Sequence, residues 1–291
     1  MSCNQNALLH FPYAKPIQRG NRTLVMGIVN LTPDSFSGGN QPIPAPREAA
    51  DQALALLAAG ADVIDFGAES TRPGAKPVSA REEIERLGDA IRLTRAETDA
   101  PLSIDTYHVE TASHALGQGA DIINDVSSLR LGWDDPAADN EAMAALIARH
   151  DAHVVLMHMP APPERMQDDP QYDNVTSEVA AFLLDRALYA EQTGIERDRI
   201  WLDPGFGFAK TFAHNRELLL NLDKLASAGY PVLAGLSRKR MIFDALGLSA
   251  GERMEASLAL AVIAAMKGAA MVRVHDVKET VRAVGMANAV G

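Results

Sequence analysis

Eight times along this 291-residue chain, a short apolar run stops at a polar residue, passes through a loop and gives way to helical spacing. The first instance, residues 24–37, reads LVMGIVNLTPDSFS. Residues 24–29 have the unbroken apolar character of a strand covered on both faces. Asn30 ends the run, and Thr32, Pro33, Asp34, Ser35 and Ser37 with Gly38 and Gly39 cannot prolong it. Further strands are predicted at residues 63–66, 102–104, 121–123, 153–156, 200–202, 231–234 and 271–274. Between them apolar residues recur with helical periodicity, as in Ala50, Ala53, Leu54 and Leu57, or Val179, Phe182, Leu183, Ala187 and Ala190. A capping-box pattern at Ser79 and Glu82 opens a helix whose face carries Ile84, Leu87 and Ile91. The repeat predicts an α/β fold, a single (β/α)8 TIM barrel over residues 23–291 with a short N-terminal lead-in segment over residues 1–22. Hydropathy alone leaves a doubly wound open sheet as the alternative.

Loop lengths favour the barrel and locate its working end. Helix-to-strand connections are a few residues around Gly60, Gly119, Gly229 and Gly268, whereas several strand-to-helix connections are long and polar. In such barrels the active site lies at the C-terminal face, so Asn30, Asp105, Asn124, Asp203, Lys239, Arg273 and His275 are expected to converge there. Singly, each has a structural explanation: Asp105 could cap the following helix, and Asp203 before Pro204 could hold a tight turn. Together, carboxylates and amides at four strand ends are costly unless they meet a ligand. Two carboxylates and an amide suit a flat heterocycle that presents several N–H donors. Arg238 and Lys239, after Gly235 at a predicted helix start, suit an anion. Arg273 and His275 point the same way from the last strand and suit phosphate oxygens. Asp276 is expected to cap the last helix. His158, between methionines, reads as structural.

The formal net charge of -11 argues against nonspecific nucleic-acid binding. The apolar run at residues 258–266 is too short for a bilayer, so no membrane partner is expected. Cys3, the single cysteine, excludes an internal disulfide and a cysteine-built metal site. With no signal pattern at the N-terminus, a cytoplasmic location is expected. No HExxH motif, Walker loop, GxSxG elbow or dinucleotide fingerprint occurs in its required context.

Eight motifs carry a specific resemblance: MGIVNLTPDSFS at 26–37, GAESTRPGA at 67–75, SIDTY at 103–107, INDVSSL at 123–129, LMHM at 156–159, LDPGFGFAKT at 202–211, GLSRK at 235–239 and RVHDVKET at 273–280. From about Leu24 to the last helix the chain resembles the dihydropteroate synthase family, pterin-binding TIM barrels that are sulfonamide targets. The resemblance implies condensation of 6-hydroxymethyl-7,8-dihydropterin pyrophosphate with p-aminobenzoate, giving 7,8-dihydropteroate and pyrophosphate in folate biosynthesis. It implies that Asp105, Asn124, Met157, Asp203, Phe208 and Lys239 bind the pterin, and that Asn30, Arg72, Arg273 and His275 take the pyrophosphate. Asn30 is the implied protein ligand of an Mg2+ cofactor. Phe36, Thr71, Arg72, Pro73 and Ser237 are the implied p-aminobenzoate residues. Asp105, Lys239 and Arg273 are the implied catalytic groups, with no protein nucleophile, and a homodimer is the implied assembly. His108 and Ala256 stand where the family often has Lys and Gly, and the loop over residues 130–140 is longer than usual; none of these is among the site residues. The alternatives are a pterin-binding methyltransferase using methyltetrahydrofolate, a non-catalytic pterin binder, and an aldolase with Lys239 as Schiff base. The two anion sites weigh against the first.

Overall fold

Successive side chains of a strand point to opposite faces, and in this protein that alternation sorts each strand into an inner and an outer column. The computed structural model describes residues 8–33, 43–70, 75, 77–133 and 138–290. Phe36, Thr71, Arg72 and Pro73 lie outside the described residues. A two-stranded antiparallel hairpin, β1 (Leu8–Leu9) and β2 (Ile17–Gln18), precedes the barrel. The barrel strands are β3 (Leu24–Asn30), β4 (Val63–Gly67), β5 (Leu102–Asp105), β6 (Ile122–Asp125), β7 (His153–Met157), β8 (Ile200–Asp203), β9 (Leu233–Ala234) and β10 (Met271–Val274). Around them run α1 (Pro46–Ala58), α2 (Ala80–Leu87), α3 (Ala90–Arg95), α4 (Val109–Gly117), α5 (Glu141–Arg149), α6 (Val175–Gln192), α7 (Phe212–Leu220), α8 (Leu222–Ala226), α9 (Arg240–Leu246), α10 (Met254–Met266) and α11 (Val277–Val290).

All eight barrel strands are parallel in the order β8-β7-β6-β5-β4-β3-β10-β9. The two ends meet: Leu202 of β8 bridges to Val232, and the Leu202 N–H donates to the Pro231 carbonyl at 2.9 Å. The sheet is therefore a barrel and not the open alternative. This closing strand is shorter than the predicted residues 231–234 because Pro231 has no N–H to donate to a ladder. The predicted helix carrying Ile84, Leu87 and Ile91 is broken into α2 and α3 at Gly88, which has φ +49°. A Cβ there would stand 2.7 Å from Pro46 Cγ. Half of the expected capping box forms. Ser79 Oγ accepts from the Glu82 N–H at 3.2 Å, while the Glu82 carboxylate accepts from Arg86 at 2.5 Å.

The outer column, including Val25, Val29, Ile64, Phe66, Ile104, Ile123, Leu156 and Val272, packs against the helices. The inner column begins apolar: Leu24, Met26, Val63, Ile122, Val155, Trp201, Leu233 and Met271 fill the lower barrel as one cluster. Burying each side chain of this size contributes about 1.5–3 kcal/mol before chain entropy is counted. Leu9, Phe11 and Ile17 from the lead-in join that cluster and close its lower mouth.

One buried carboxylate fastens this plug. Asp121, at the entrance to β6, accepts from the Tyr13 and Ala14 N–H groups at 2.8 and 3.0 Å and from Leu102 N–H at 3.0 Å. Arg95 completes the arrangement with an ion pair to the same carboxylate. Removing one partner of a buried pair leaves an uncompensated charge, which costs about 3–5 kcal/mol. Asp121→Ala should therefore lower the stability measured by urea unfolding by about 3 kcal/mol, while ligand affinities at the opposite end of the barrel stay unchanged. A loss below about 1 kcal/mol would mean that water replaces the carboxylate at these donors.

Candidate active site

Higher up the same inner column the residues turn polar. Asn30 lies two positions past Ile28, Asp65 follows Val63, Asp105 follows Ser103, Asn124 follows Ile122, Asp203 follows Trp201 and Arg273 follows Met271. Strand register places them side by side: Ile28 pairs with Asp65, Gly67 with Asp105, Asp105 with Asn124, and Met157 with Asp203. A cavity of about 980 Å³ opens above them, at the upper end of the range for small-molecule sites. Its walls include Asn30, Asp105, Asn124, Met157, Asp203, Phe208, Ser237, Lys239, Arg273 and His275. Every described residue that the sequence assigned to the site thus lies on this one cavity.

Arg273 forms the floor. Its Nε donates to Asp65 Oδ2 at 2.6 Å and its Nη2 to Asp105 Oδ2 at 2.9 Å. Asn124 Nδ2 also donates to Asp65 Oδ2, at 3.4 Å. Asp65 was not among the sequence candidates, although its place two residues beyond the inward Val63 is the signal that marks it. Asp105 is not a helix cap: His108 occupies the N-cap position of α4, and the Asp105 carboxylate faces Arg273. Burial pushes the Asp105 carboxyl up to about 7 against the pull of Arg273, with Asp65 and more distant Glu83 and Glu69 adding to the rise.

The opposite wall is built by the loops after β8 and β9. One Asp203 oxygen accepts the Gly205 N–H at 2.7 Å and holds the turn. The other, Oδ2, would lie 3.9 Å from a Cβ on Gly235, at the cavity wall. Burial raises the Asp203 carboxyl, while Gly205 N–H, Lys239, Lys210 and Arg273 oppose the rise. Lys239 Nζ sits 3.9 Å from the centroid of the Phe208 ring, a cation–π contact. Ser237 Oγ and His275 Nδ1 are 3.0 Å apart. The expected anion site at Arg238 takes a different form. Arg238 has φ +57°, and its guanidinium donates from Nε and Nη2 to Asp276 at 3.1 and 2.6 Å. Asp276 stands directly before α11 as expected, its carbonyl accepting the Thr280 N–H at 3.0 Å, and its carboxylate pairs with Arg238.

The sequence of residues 26–275 matches the model of the family described as pterin binding enzyme. A dihydropteroate synthase of Streptococcus pyogenes is 45% identical over 256 residues, 87% of this chain and 90% of the relative. The chain belongs to the dihydropteroate synthase family. Solved structures agree over the whole barrel. The Yersinia pestis dihydropteroate synthase in a sulfonamide drug complex superposes with TM-score 0.89 at 38% identity, covering 97% of this chain and 98% of that one. The Xanthomonas albilineans dihydropteroate synthase with 4-aminobenzoic acid gives TM-score 0.85 at 42% identity, covering 98% of each.

Two of the expected departures from the family pattern take definite places in the structure. His108 places Nε2 3.6 Å from Glu69 Oε2 and 3.1 Å from the Val78 carbonyl. Tyr107 OH donates to the other Glu69 oxygen at 2.9 Å. Glu69 lines the cavity, so this departure touches its wall through one intermediate side chain. The long loop after β6 is pinned from inside: Asp125 accepts from Ser127 and Leu129 N–H at 2.7 Å each, and Arg130 Nη2 donates to the Met159 carbonyl at 2.7 Å. His158 behaves as the structural residue expected, buried edge-on against Phe182. Lys210, which no sequence signal singled out, is buried beside it.

The floor makes a measurable prediction. A carboxyl whose folded pKa lies above its unfolded value holds its proton more tightly when folded, so Asp105 adds stability as pH falls from about 7 through the ordinary carboxylate range and loses it as pH rises through 7. Carbon-13 NMR of the ligand-free protein should show a carboxyl titrating near pH 7 that vanishes in Asp105→Asn. A spectrum in which every carboxyl titrates below about 5 would mean that the Arg273 pair outweighs burial.

Proposed function

We propose that this chain condenses 6-hydroxymethyl-7,8-dihydropterin pyrophosphate with p-aminobenzoate to form 7,8-dihydropteroate and pyrophosphate. It is a transferase of the dihydropteroate synthase type. One observation carries the reading. A floor of ionic and amide groups, Asp65, Arg273, Asp105 and Asn124, faces Asp203 and Lys239 within one cavity, in a chain matched nearly end to end by dihydropteroate synthases.

In this reading the pterin edge bonds to Asp105, Asn124, the Oδ2 of Asp203 and Lys239. Met157 and Phe208, both in the apolar cluster at this end of the barrel, flank the ring. The methylene C–O bond breaks with both electrons leaving on the pyrophosphate. The carbocation left behind is delocalised over the pterin, and Asp105 stabilises it electrostatically. The arylamine nitrogen then bonds to the methylene carbon and loses its proton. Arg273 and His275 receive the departing anion. Ser237 takes the p-aminobenzoate carboxylate, and its contact with His275 joins the second-substrate end to the pyrophosphate end. Phe36, Thr71, Arg72 and Pro73 complete the site in this reading.

Among the described residues no cluster of three His, Cys, Asp or Glu side chains could hold a metal ion. Mg2+ is commonly held by substrate phosphates and water with few protein ligands, so a single amide oxygen from Asn30 on the cavity wall fits it. Asn30 would supply that ligand, and the ion would neutralise charge on the departing phosphate oxygens. Assembly as a homodimer and a cytoplasmic location belong to the same proposal. The exposed Met266 of α10 and Met286 of α11 supply apolar surface for assembly.

Purified protein with both substrates and Mg2+ should release pyrophosphate and form dihydropteroate, and chelation should suppress both. Absence of product from correctly folded protein would overturn the proposal. Asp203→Asn and Lys239→Ala should each weaken pterin binding by about tenfold, the loss of one charge-assisted hydrogen bond. Arg273→Ala should behave differently. It leaves Asp65 and Asp105 without their shared cation, so it should lower stability by about 3 kcal/mol and weaken pterin and pyrophosphate binding together. A loss confined to pyrophosphate would mean that Arg273 does not organise the floor.

A further inference from the structure

We infer that Lys210 is the positioning residue for the pterin side of the cavity: its ammonium locks the loop after β8 onto the end of β7, and so sets where Met157, Phe208 and Lys239 stand. This rests on the reading of the cavity as a pterin site.

The side chain is only 4% exposed, and Nζ lies in a cage of acceptors. His158 Nδ1 is 2.9 Å away, the Phe208 carbonyl 2.9 Å and the Gly205 carbonyl 3.0 Å, with the His158 carbonyl at 3.3 Å. An ammonium has three N–H donors, which matches the three nearest acceptors. These acceptors belong to two different loops. His158 follows β7 directly, next to Met157, whereas Gly205 and Phe208 follow β8. The loops also touch through their backbones: Gly205 has φ +68°, and a Cβ there would fall 2.2 Å from the His158 carbonyl oxygen. Two neutral backbones brought this close turn several carbonyl oxygens toward one buried point. A cation is the group that satisfies them together.

The route to the ligand is short. Phe208 is held by its own carbonyl on Lys210, and its ring carries the Lys239 ammonium. A Cβ on Gly207 would lie 3.2 Å from Lys239 Cδ, so that glycine leaves room for the lysine stem. Asn215 fixes the loop from its far side, accepting from Gly207 N–H at 2.8 Å and donating to the Lys210 carbonyl at 3.2 Å. The chemistry of the cage is self-consistent. Burial and the adjacent Lys210 push His158 strongly toward its neutral form, and the Nε2–H tautomer lets Nδ1 accept from the ammonium. Burial pushes Lys210 itself down to about 7, and nearby Asp203 opposes that shift. Asp203 thus supports the ammonium that orders the loop leading away from it.

The test is a double-mutant cycle on wild-type protein, Lys210→Met, Phe208→Leu and the double variant, each checked for fold by circular dichroism. Two probes are titrated by calorimetry: 6-hydroxymethyl-7,8-dihydropterin, and inorganic pyrophosphate with Mg2+. Lys210→Met should lose about tenfold in pterin affinity, keep pyrophosphate affinity within about twofold, and add little to the loss caused by Phe208→Leu, because coupled residues are non-additive. Unchanged pterin affinity, equal losses for both probes, or additive losses would overturn the inference. Should Lys210→Met fail to fold, Lys210→Gln takes its place in the cycle and is judged by the same outcomes. Wild-type protein that binds no pterin would overturn the functional reading beneath, a result distinct from a variant that binds as well as wild type.

Discussion

Arg273 is a cation pointing into a closed barrel, and much of the upper structure follows from what that requires. A guanidinium removed from water needs partners with matching geometry. Asp65 and Asp105 supply them from neighbouring strands, at 2.6 and 2.9 Å. Burial above all lifts the Asp105 carboxyl, repulsion from Asp65 adds to the rise, and Arg273 holds it down. The apolar lower barrel, with Trp201 and Met26 fully buried, supports this floor from beneath and keeps water from its underside.

Much of this was legible in the chain. Eight apolar runs ending in polar residues give a parallel α/β barrel, and the asymmetry of loop lengths identifies its working end. Asn30, Asp105, Asn124, Asp203, Lys239, Arg273 and His275 lie where that argument puts them, on one cavity. The reason is geometric: a residue at the end of a parallel strand has few places to go once the barrel closes. Period-two alternation carries further information that strand ends alone do not. Counting inward positions up β4 from Val63 reaches Asp65, a buried carboxylate that an apolar-run reading passes over because it sits inside the strand.

What stayed hidden depends on contacts between distant segments. The plug formed by Leu9, Phe11 and Ile17 has no periodicity to announce it, since its position is decided by the Asp121 carboxylate more than a hundred residues away. The break between α2 and α3 arises because Pro46 of another helix occupies the space beside Gly88. Arg238 looks like an anion ligand beside Lys239, yet Asp276, after the neighbouring strand β10, claims it. Lys210 passes unmarked inside the LDPGFGFAKT motif; only folding gathers its three nearest acceptors, from two loops, around it.

The chain is acidic as a whole, with a net charge of -11, yet its cavity is not. Its lining sets Glu69, Asp105, Asp203 and Asp244 against Lys210, Arg238, Lys239, Arg240, Arg253 and Arg273, with Asp65 paired beneath to Arg273. Interactions among buried charges are screened far less than those at the surface, so this local balance outweighs the distant surface carboxylates. Burial raises the Asp105 and Asp203 carboxyls and lowers the Lys210 ammonium, so it weakens charges of both signs and leaves Arg273 as the fixed cation of the floor. In the proposed reaction, hydrogen bonds from the pterin edge to Asp105 would favour its ionised form, the state in which it can stabilise a developing cation.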